Sequence, residues 1–368
     1  MKMRRSIAAL LAVLFALVTV ALSGCGSSSV QTTAGLTKIV FANPTSSQNP
    51  LFMNIVVGKE LGYFKEEGID VEFQYLGSNA AVAAALDSGK AQFGITNPFF
   101  QISQAARGNR LSYTNFYQYT YLPKWSVVVG PDSTISSVTE LKGKQLGLVG
   151  LNSEDQSISD QWLTKAGLTR DDVKYKVIGQ GAPMGAALDS GQIDAALVWD
   201  STLGFFDVAG IKYKKLPPPD GLPVAGGFSI SAAKKYLGGG HDKIVVGVGR
   251  AVAKATVYAL ENPVAAALAY NKLYPESVAA GTDPKKAAAD TATLVSHRAK
   301  AWAVAEGLKW GETRPEEWKN MFALAGTMPD VPSTDKLTPE DFNNETFIDR
   351  INKFDAKVIR AAADKAGT

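Results

Sequence analysis

The stretch AALDSG at residues 84–89 decides the fold, because it recurs unchanged at residues 186–191. The match extends outward, and residues 70–95 align with residues 172–197 at a constant offset of 102 positions. In each copy an alternating segment predicts a strand, a glycine predicts a turn, and an alanine-rich run predicts a helix. The Asp-Ser-Gly that follows predicts the end of that helix before another strand. Each copy is therefore predicted to be a β-α-β unit.

The segments around the two units extend this pattern into two lobes. An opening strand is predicted before each unit, at residues 38–42 and 144–149, and each is followed by a polar loop and a helix, at residues 51–61 and 157–165. Right-handed crossovers then imply mainly parallel sheets covered by helices. Extended segments at residues 125–129 and 224–230 are predicted to cross between the lobes.

The C-terminal third of the chain has helical spacing throughout. Helices are predicted at residues 243–260, 263–273, 284–304, 315–324 and 339–363, and each of the last four begins at a proline, which suits the first helical position. We expect this tail to pack on the first lobe.

Length and charge limit the class of protein. A chain of 368 residues is expected to form about two domains. The hydrophobic content of 46% and charged content of 20% are typical of a soluble globular protein. Lys2, Arg4 and Arg5 lie in an N-terminal segment without acids, and the other basic residues balance the 35 acidic ones. This neutrality excludes an electrostatic surface for nucleic acid, so no nucleic-acid partner is predicted.

The N-terminal segment is typical of a secreted protein. Residues 7–22 are apolar apart from one threonine, which suits a signal-peptide core and is short for a membrane span. Residues 22–25 (LSGC) resemble the lipobox of bacterial lipoproteins, which implies a signal peptide over residues 1–24 and lipid attachment at Cys25. Residues 25–35 are then a flexible tether. An ordinary signal peptide or a buried free cysteine is the alternative.

Cys25 is the only cysteine, which excludes an intramolecular disulfide and a cysteine-rich zinc site. Stability must therefore come from the hydrophobic core.

Several further segments, in this order and spacing, carry a resemblance to a known family. They are residues 62–71 (GYFKEEGIDV), both ALDSG segments, 140–144 (ELKGK), 195–199 (AALVW) and 261–263 (ENP). Together they resemble the sulfonate, taurine and nitrate branch of the periplasmic binding proteins, which includes binders of thiamine-pyrimidine precursors. The resemblance covers about residues 38–273.

This resemblance implies a two-lobed α/β fold of the type II periplasmic-binding-protein class, with a hinge of two crossings. Lobe 1 is then expected at residues 36–122 and 228–368, with the helical tail, and lobe 2 at residues 123–227. The family's members trap a small-molecule ligand between the lobes and deliver it to the permease and ATPase of an ABC importer. The implied protein is a monomer without a cofactor or bound metal. It is extracytoplasmic and held at the bacterial cell membrane by the lipid on Cys25.

Ligand contacts are expected in the loops that follow the strands, where the first amides of the next helix form an anion site. In lobe 1 the candidates are small polar residues after the first three strands: Asn43, Thr45, Ser46, Gln48, Ser78, Asn79, Thr96 and Asn97. In lobe 2 they are Asn152, Ser153, Glu154, Gln180, Trp199 and Asp200. For each polar candidate, a helix cap or turn is the alternative, because capping requires the same residue types.

The ligand class is narrowed by the charges in these loops. The helix N-termini together with Glu154, Asp155 or Asp200 would suit taurine, which carries a sulfonate and an ammonium group. The loops contain no Arg or Lys, which disfavours a multiply charged anion, although Lys124 or Arg107 is able to approach. An aromatic carboxylate or a pyrimidine stacked on Trp199 is the alternative ligand.

Enzyme functions are disfavoured. His241 and His297 belong to no metal-ligand spacing, and a surface or helix-end role is expected for both. The resemblance also extends to fungal thiamine-pyrimidine synthases, which use a cysteine-rich iron motif and a reactive histidine. Here the single cysteine lies in the lipobox, so we predict no catalytic residue and no enzyme. A ligand sensor for a membrane receptor is the other alternative.

Overall fold

A computed structural model describes residues 32–33, 35–121, 124–151, 154–222, 227–328 and 331–366. Its strands, in chain order, are β1 (Thr32–Thr33), β2 (Leu36–Asn43), β3 (Ile69–Tyr75), β4 (Phe93–Thr96), β5 (Tyr113–Gln118), β6 (Trp125–Val129), β7 (Gln145–Leu148), β8 (Lys174–Val177), β9 (Ala195–Trp199), β10 (Lys214–Lys215) and β11 (Ser229–Ala233).

The α-helices, in chain order, are α1 (Met53–Glu60), α2 (Tyr63–Glu66), α3 (Asn79–Asp87), α4 (Pro98–Ala106), α5 (Glu154–Lys165), α6 (Ala182–Asp189), α7 (Asp200–Ala209), α8 (Asp242–Glu261), α9 (Pro263–Leu273), α10 (Pro284–Trp302), α11 (Pro315–Ala325), α12 (Ile348–Ile351) and α13 (Ala356–Lys365). Within the described ranges, none of these helices has both the length and the apolar character that crossing a bilayer requires.

Two sheets form the centres of two lobes. The lobe 1 sheet has the order β1-β2-β4-β11-β5, with β3 also paired to β2, and the lobe 2 sheet has the order β10-β6-β9-β7-β8. In lobe 1, β3 and β4 run parallel to β2, and in lobe 2, β8 and β9 run parallel to β7. The predicted two-lobed α/β fold is confirmed.

Both sheets are mixed and not mainly parallel. Strand β11 runs antiparallel to β4 and β5, and β6 runs antiparallel to β9. Strands β6 and β11 each follow a crossing between the lobes. The chain therefore enters each sheet at the end where the parallel strands stop. The antiparallel direction therefore results from the position of the hinge.

The sequence repeat occupies the same place in both lobes. Helix α3 ends at Ser88 and α6 ends at Ser190, and each serine hydroxyl donates to the backbone carbonyl four residues earlier, at 2.7 and 2.8 Å. Gly89 and Gly191 follow with φ of 75° and 68°, a left-handed conformation that ends a helix at little cost for glycine. The predicted β-α-β units and their helix stops are confirmed.

The helical tail packs on both lobes, whereas we expected it on lobe 1. Helices α8 and α9 bury their apolar faces in the lobe 1 core with β2 and β11. Helix α10 packs against both α9 and α7, and α11 packs against α4 and α5. Trp318 and Met321 of α11 share a core with strands of lobe 2, which explains why these helices reach across.

The helix predicted over residues 339–363 is wrong. The chain there forms a short 3-10 turn (Pro339–Asp341), α12 and α13. Between them, Asn344 donates its backbone N–H to the Asn115 carbonyl at 2.8 Å, so the segment pairs with the edge strand β5. Hydrogen bonding to the sheet and Asp355, which caps α13, override the helical spacing.

The expected tether is shorter than residues 25–35. Thr32–Thr33 pair antiparallel with Leu36–Thr37, and Gly35 between them has a φ of 82°, which permits the tight turn. The lobe 1 sheet thus begins before residue 36. The predicted signal peptide and lipidated Cys25 lie outside the described residues.

The hinge joins the two crossing segments by direct hydrogen bonds. The N–H groups of Tyr119 and Thr120 donate to the Phe228 carbonyl, and the Phe228 N–H donates to the Thr120 hydroxyl at 2.6 Å. Beside them, the Gln118 amide donates to the carboxylate of Glu317, from α11, at 2.5 Å. Burial raises the pKa of Glu317 from 4.5 to about 7, although Gln118 and Arg314 act against that rise.

The raised pKa of Glu317 predicts that the protein loses stability between about pH 4.5 and pH 7. The folded state holds this proton more tightly than the unfolded state, so the stabilisation is complete below the unfolded pKa and lost as pH rises through the folded one. The loss is on the order of 3 kcal/mol. Glu317→Gln should remove this part of the pH dependence, measured by urea unfolding at pH 4.5 and 8. Equal pH dependence in both proteins would contradict the prediction.

Candidate functional site

The carboxyl end of β2 holds a buried amide without partners. Asn43 is fully buried, and neither its Nδ2 nor its Oδ1 has a hydrogen-bond partner among the described residues. An unpaired buried polar group costs about 1–3 kcal/mol, so such groups are rare unless a ligand or water meets them. Asn43, predicted as a site residue, therefore has hydrogen-bonding capacity that the described residues leave unused.

Two other predicted residues of lobe 1 act within the fold. The Thr96 hydroxyl lies 2.7 Å from the Ser231 hydroxyl and 3.1 Å from the Asn115 amide oxygen, inside a buried network. The Asn97 side chain accepts from the Phe99 N–H at 2.9 Å and caps α4. The capping alternative thus describes Asn97, and Thr96 joins three strands of the sheet.

The remaining lobe 1 candidates have mixed surroundings. Ser78 is exposed and caps α3 by accepting from the Ala81 N–H, and Ser46 is exposed. The Thr45 hydroxyl donates to the Ser47 carbonyl, and the Gln48 amide donates to Glu276. The Asn79 Oδ1 is buried without a partner among the described residues, as in Asn43.

In lobe 2, Trp199 forms one side of a shared hydrogen-bond arrangement. The Trp199 and Trp125 indoles both donate to Asp155 Oδ1, and Asp155 is buried. The Trp199 side chain stays partly exposed. It therefore presents some surface to solvent while its indole N–H is held by Asp155. Of the neighbouring candidates, Asn152 and Ser153 lie outside the described residues, as does the side chain of Glu154.

Asp200 forms a buried ion pair with Arg298, so its carboxylate already has a cationic partner within the protein. Its two carboxylate oxygens accept from Arg298 Nε at 2.5 Å and Nη2 at 2.7 Å, and both side chains are less than a tenth exposed. Burial would lower the pKa of Arg298, but the adjacent carboxylate raises it above its usual value, so the guanidinium stays charged. Asp200 also accepts from the Ser201 N–H and so holds the start of α7.

Lys124 is a second buried cation beside this pair. Its ammonium lies 4.3 Å from the ring centres of both Trp125 and Phe228 and 5.6 Å from that of Trp199. Rings at this distance stabilise a cation through their electron-rich faces. The Lys124 carbonyl accepts from the Asp200 N–H at 2.7 Å, which places the cation directly beside the start of α7.

A cavity of about 170 Å³ lies between the lobes. Its walls come from three parts of the chain, and the lining residues are Asn49, Leu51, Gln180, Gly181, Ser201, Thr202, Phe205 and Leu294. Of the predicted site residues, Gln180 lines this cavity, and Asp200 is the residue before Ser201, which also lines it. The lining thus combines polar side chains with a few apolar ones, and the small volume limits what fits to a small molecule.

Several site residues were missed by the sequence analysis. Arg298 lies near the end of a tail helix, nearly 100 residues from Asp200, and no local pattern marks it. Thr202 lies just beyond the predicted loop that begins with Trp199 and Asp200, so extending that loop into the first helical turn would have found it. Tyr119, Tyr121 and Trp125 are buried at the hinge.

The unpaired Asn43 and the fully bonded Asn115 allow a matched test. Asn43→Leu removes two unsatisfied buried polar atoms, so the free protein should be as stable as wild type or more stable by about 1 kcal/mol. Asn115→Leu breaks bonds to Gln101, Thr96 and Ser231 and should cost about 2 kcal/mol or more. Chemical unfolding of both variants measures the difference, and equal destabilisation would show that Asn43 is already satisfied.

Comparison with known proteins gives a family and two groups of relatives. The chain is 27% identical over 148 residues to the 4-amino-5-hydroxymethyl-2-methylpyrimidine phosphate synthase of Schizosaccharomyces pombe, and 31% identical over 150 residues to that of Aspergillus parasiticus. These matches cover 40% of this chain and 41% and 42% of the relatives, so the chain spans less than half the length of the curated relatives it matches.

Among solved structures, the periplasmic aliphatic sulphonate-binding protein SsuA of Escherichia coli is similar with a TM-score of 0.59 and 16% identity, over 81% of this chain and 96% of that one. The desulfurization enzyme DszB is similar with a TM-score of 0.55 and 12% identity, over 85% of this chain and 98% of that one. At these identities the likeness concerns the fold, which an enzyme and a binding protein share. A family model described as NMT1/THI5 like matches residues 49–266, more than half of the sequence. The chain belongs to the NMT1/THI5-like family.

Proposed function

We propose that the protein is an extracytoplasmic solute-binding protein that captures a small organic anion between its lobes and delivers it to an ABC importer. The observation that carries the proposal is the cavity walled by lobe 1, lobe 2 and the tail together. A ligand held there would contact both lobes and the tail, and closure of the lobes would remove it further from water. The sulphonate-binding function named for the Escherichia coli neighbour supports the same role.

The buried positive charge at the hinge favours an anionic solute such as a sulfonate or a taurine-like molecule. Lys124 brings a positive charge beside the partly exposed Trp199 ring, and it lowers the cost of moving a negative group into the cleft. Asp155, which accepts from the Trp199 and Trp125 indoles, adds an acidic side chain to the same aromatic cluster. A volume of about 170 Å³ limits the ligand to a small molecule.

The second candidate is a pyrimidine precursor or an aromatic carboxylate, held against the exposed face of Trp199. The names of the two fungal relatives favour the pyrimidine. In this proposal the chain binds such a molecule and does not transform it. Presentation of the bound form to a membrane receptor, in place of a permease, is a variant of the same capture function.

Attachment through a lipid on Cys25, a monomeric state, the absence of a cofactor, and the lobe boundaries at residues 122–123 and 227–228 remain predictions. They fit the proposed role, because a tethered receptor stays beside its permease.

A ligand panel tests the proposal. The full chain should be stabilised by one class among taurine, alkanesulfonates, nitrate, aromatic carboxylates and 4-amino-5-hydroxymethyl-2-methylpyrimidine. A ligand at 100 times its Kd stabilises the native state by about 2.7 kcal/mol, which a thermal-shift assay detects. A hit among the sulfonates supports the first candidate, and a hit with the pyrimidine supports the second. No shift with any member at millimolar concentration would contradict both.

Two exposed glutamines in lobe 2 provide a matched pair for placing the ligand. Gln180 lines the cavity and Gln192 does not, and both are exposed in the free protein. Gln180→Ala should weaken binding of the identified ligand roughly fivefold, because a hydrogen bond is worth about 1 kcal/mol. Gln192→Ala should leave the affinity unchanged, and isothermal titration calorimetry measures both. Equal affinities for the two variants would place the ligand elsewhere.

A further inference from the structure

The backbone of tail helix α10 packs directly against the backbone of α7 in lobe 2. A Cβ placed on Gly204 of α7 would lie 1.9 Å from the backbone oxygen of Leu294 in α10, far inside any permitted contact. Gly204 is therefore required for the two helices to approach so closely. Leu294 also lines the cavity between the lobes, so the contact and the proposed site share a wall.

The same helix is anchored in lobe 1. Val295 and Trp302 of α10 are buried in the lobe 1 core, and the Thr291 hydroxyl donates to Asn271 of α9 at 3.3 Å. Helix α10 thus has one face in the core of lobe 1 and the other against α7 of lobe 2. A movement of lobe 2 away from lobe 1 must separate α7 from α10, or else pull α10 out of the lobe 1 core.

Two side-chain interactions join the two helices. The inner one is the buried pair of Arg298 with Asp200, and the outer one joins His297 Nε2 to Asp207 Oδ2 at 2.7 Å. Separating α7 from α10 would leave Arg298 without its carboxylate at a site where a charge is costly unless paired. The inner pair therefore favours one fixed arrangement of the two helices.

We propose that the contact between α7 and α10 is a latch that holds the two lobes together, with Arg298 as its positioning residue. This proposal rests on the proposed function, since a latch matters for a protein that must open to admit a solute. Entry of the ligand then requires α7 to leave α10, and the wall formed by Leu294 moves with that step. The latch sets how often the cleft opens, and the loops at the strand ends set what it binds.

Hydrogen exchange of the full chain without ligand tests the latch. Gly204→Ala should increase amide exchange in α7 and α10 at least tenfold and leave α8, in the lobe 1 core, unchanged. Gly185→Ala is the matched control, because its added Cβ would meet Ile211 Cδ1 at 2.6 Å and Phe206 of α7 at 3.3 Å, within lobe 2 and away from α10, so exchange in α10 distinguishes the two variants. Gly130→Ala, with nothing within 4 Å, controls for the substitution itself. The same exchange in the Gly204 and Gly185 variants would overturn the latch.

A second variant covers the case in which Gly204→Ala unfolds the protein, seen as faster exchange in α8. Arg298→Lys keeps the positive charge and loses the bidentate hydrogen bonding to the Asp200 carboxylate. It should increase exchange in α7 and α10 selectively, and unchanged exchange there would overturn the proposal.

Because these measurements contain no ligand, they are independent of the ligand panel. A panel without hits would leave a confirmed latch in place, and a flat exchange result would leave the capture function in place.

Discussion

The buried ion pair between Arg298 and Asp200 is the constraint on which the arrangement of the lobes depends. Two charges removed from water are tolerated when they meet with good geometry, and the guanidinium here contacts both carboxylate oxygens. Asp200 begins the first helix after the last parallel strand of lobe 2, while Arg298 lies on a helix rooted in lobe 1. The pair therefore fixes how the carboxyl ends of the strands in one lobe face those of the other. The cavity between the lobes depends on the same arrangement.

Small polar residues at the strand ends differ in whether the fold satisfies their hydrogen bonds. Thr96, Asn97 and Ser78 were chosen for the sequence position they share with Asn43, at or just after a parallel strand. Three of the four satisfy their hydrogen bonds within lobe 1, as network member or helix cap. Asn43 does not. The difference arises from which neighbours fold against each side chain, and those neighbours come from segments distant in the chain.

The chemistry of the cleft also differs from what its loops suggest. The loops after the strands lack Arg and Lys, and yet two buried cations lie beside them. Lys124 comes from the hinge and is held among aromatic rings, and Arg298 comes from the tail. Low local dielectric makes both charges effective over a longer range than at the surface. The electrostatics of this site are therefore a property of the hinge and tail as much as of the loops.

The sequence by itself determined the repeated β-α-β units, the helix stops at Ser88 and Ser190, and four of the five tail helices, because these follow from local periodicity, capping and glycine conformation. It also placed Gln180, Trp199 and Asp200 after strands of lobe 2, since parallel strands end at one edge of a sheet. Tertiary structure alone decided the break in the last tail helix, where Asn344 bonds to the edge strand. It likewise decided the partner of Asp200 and the reach of α10 across both lobes. These features depend on contacts between residues about 100 or more positions apart, and a pattern read along the chain carries no information about which distant backbones and charges will meet.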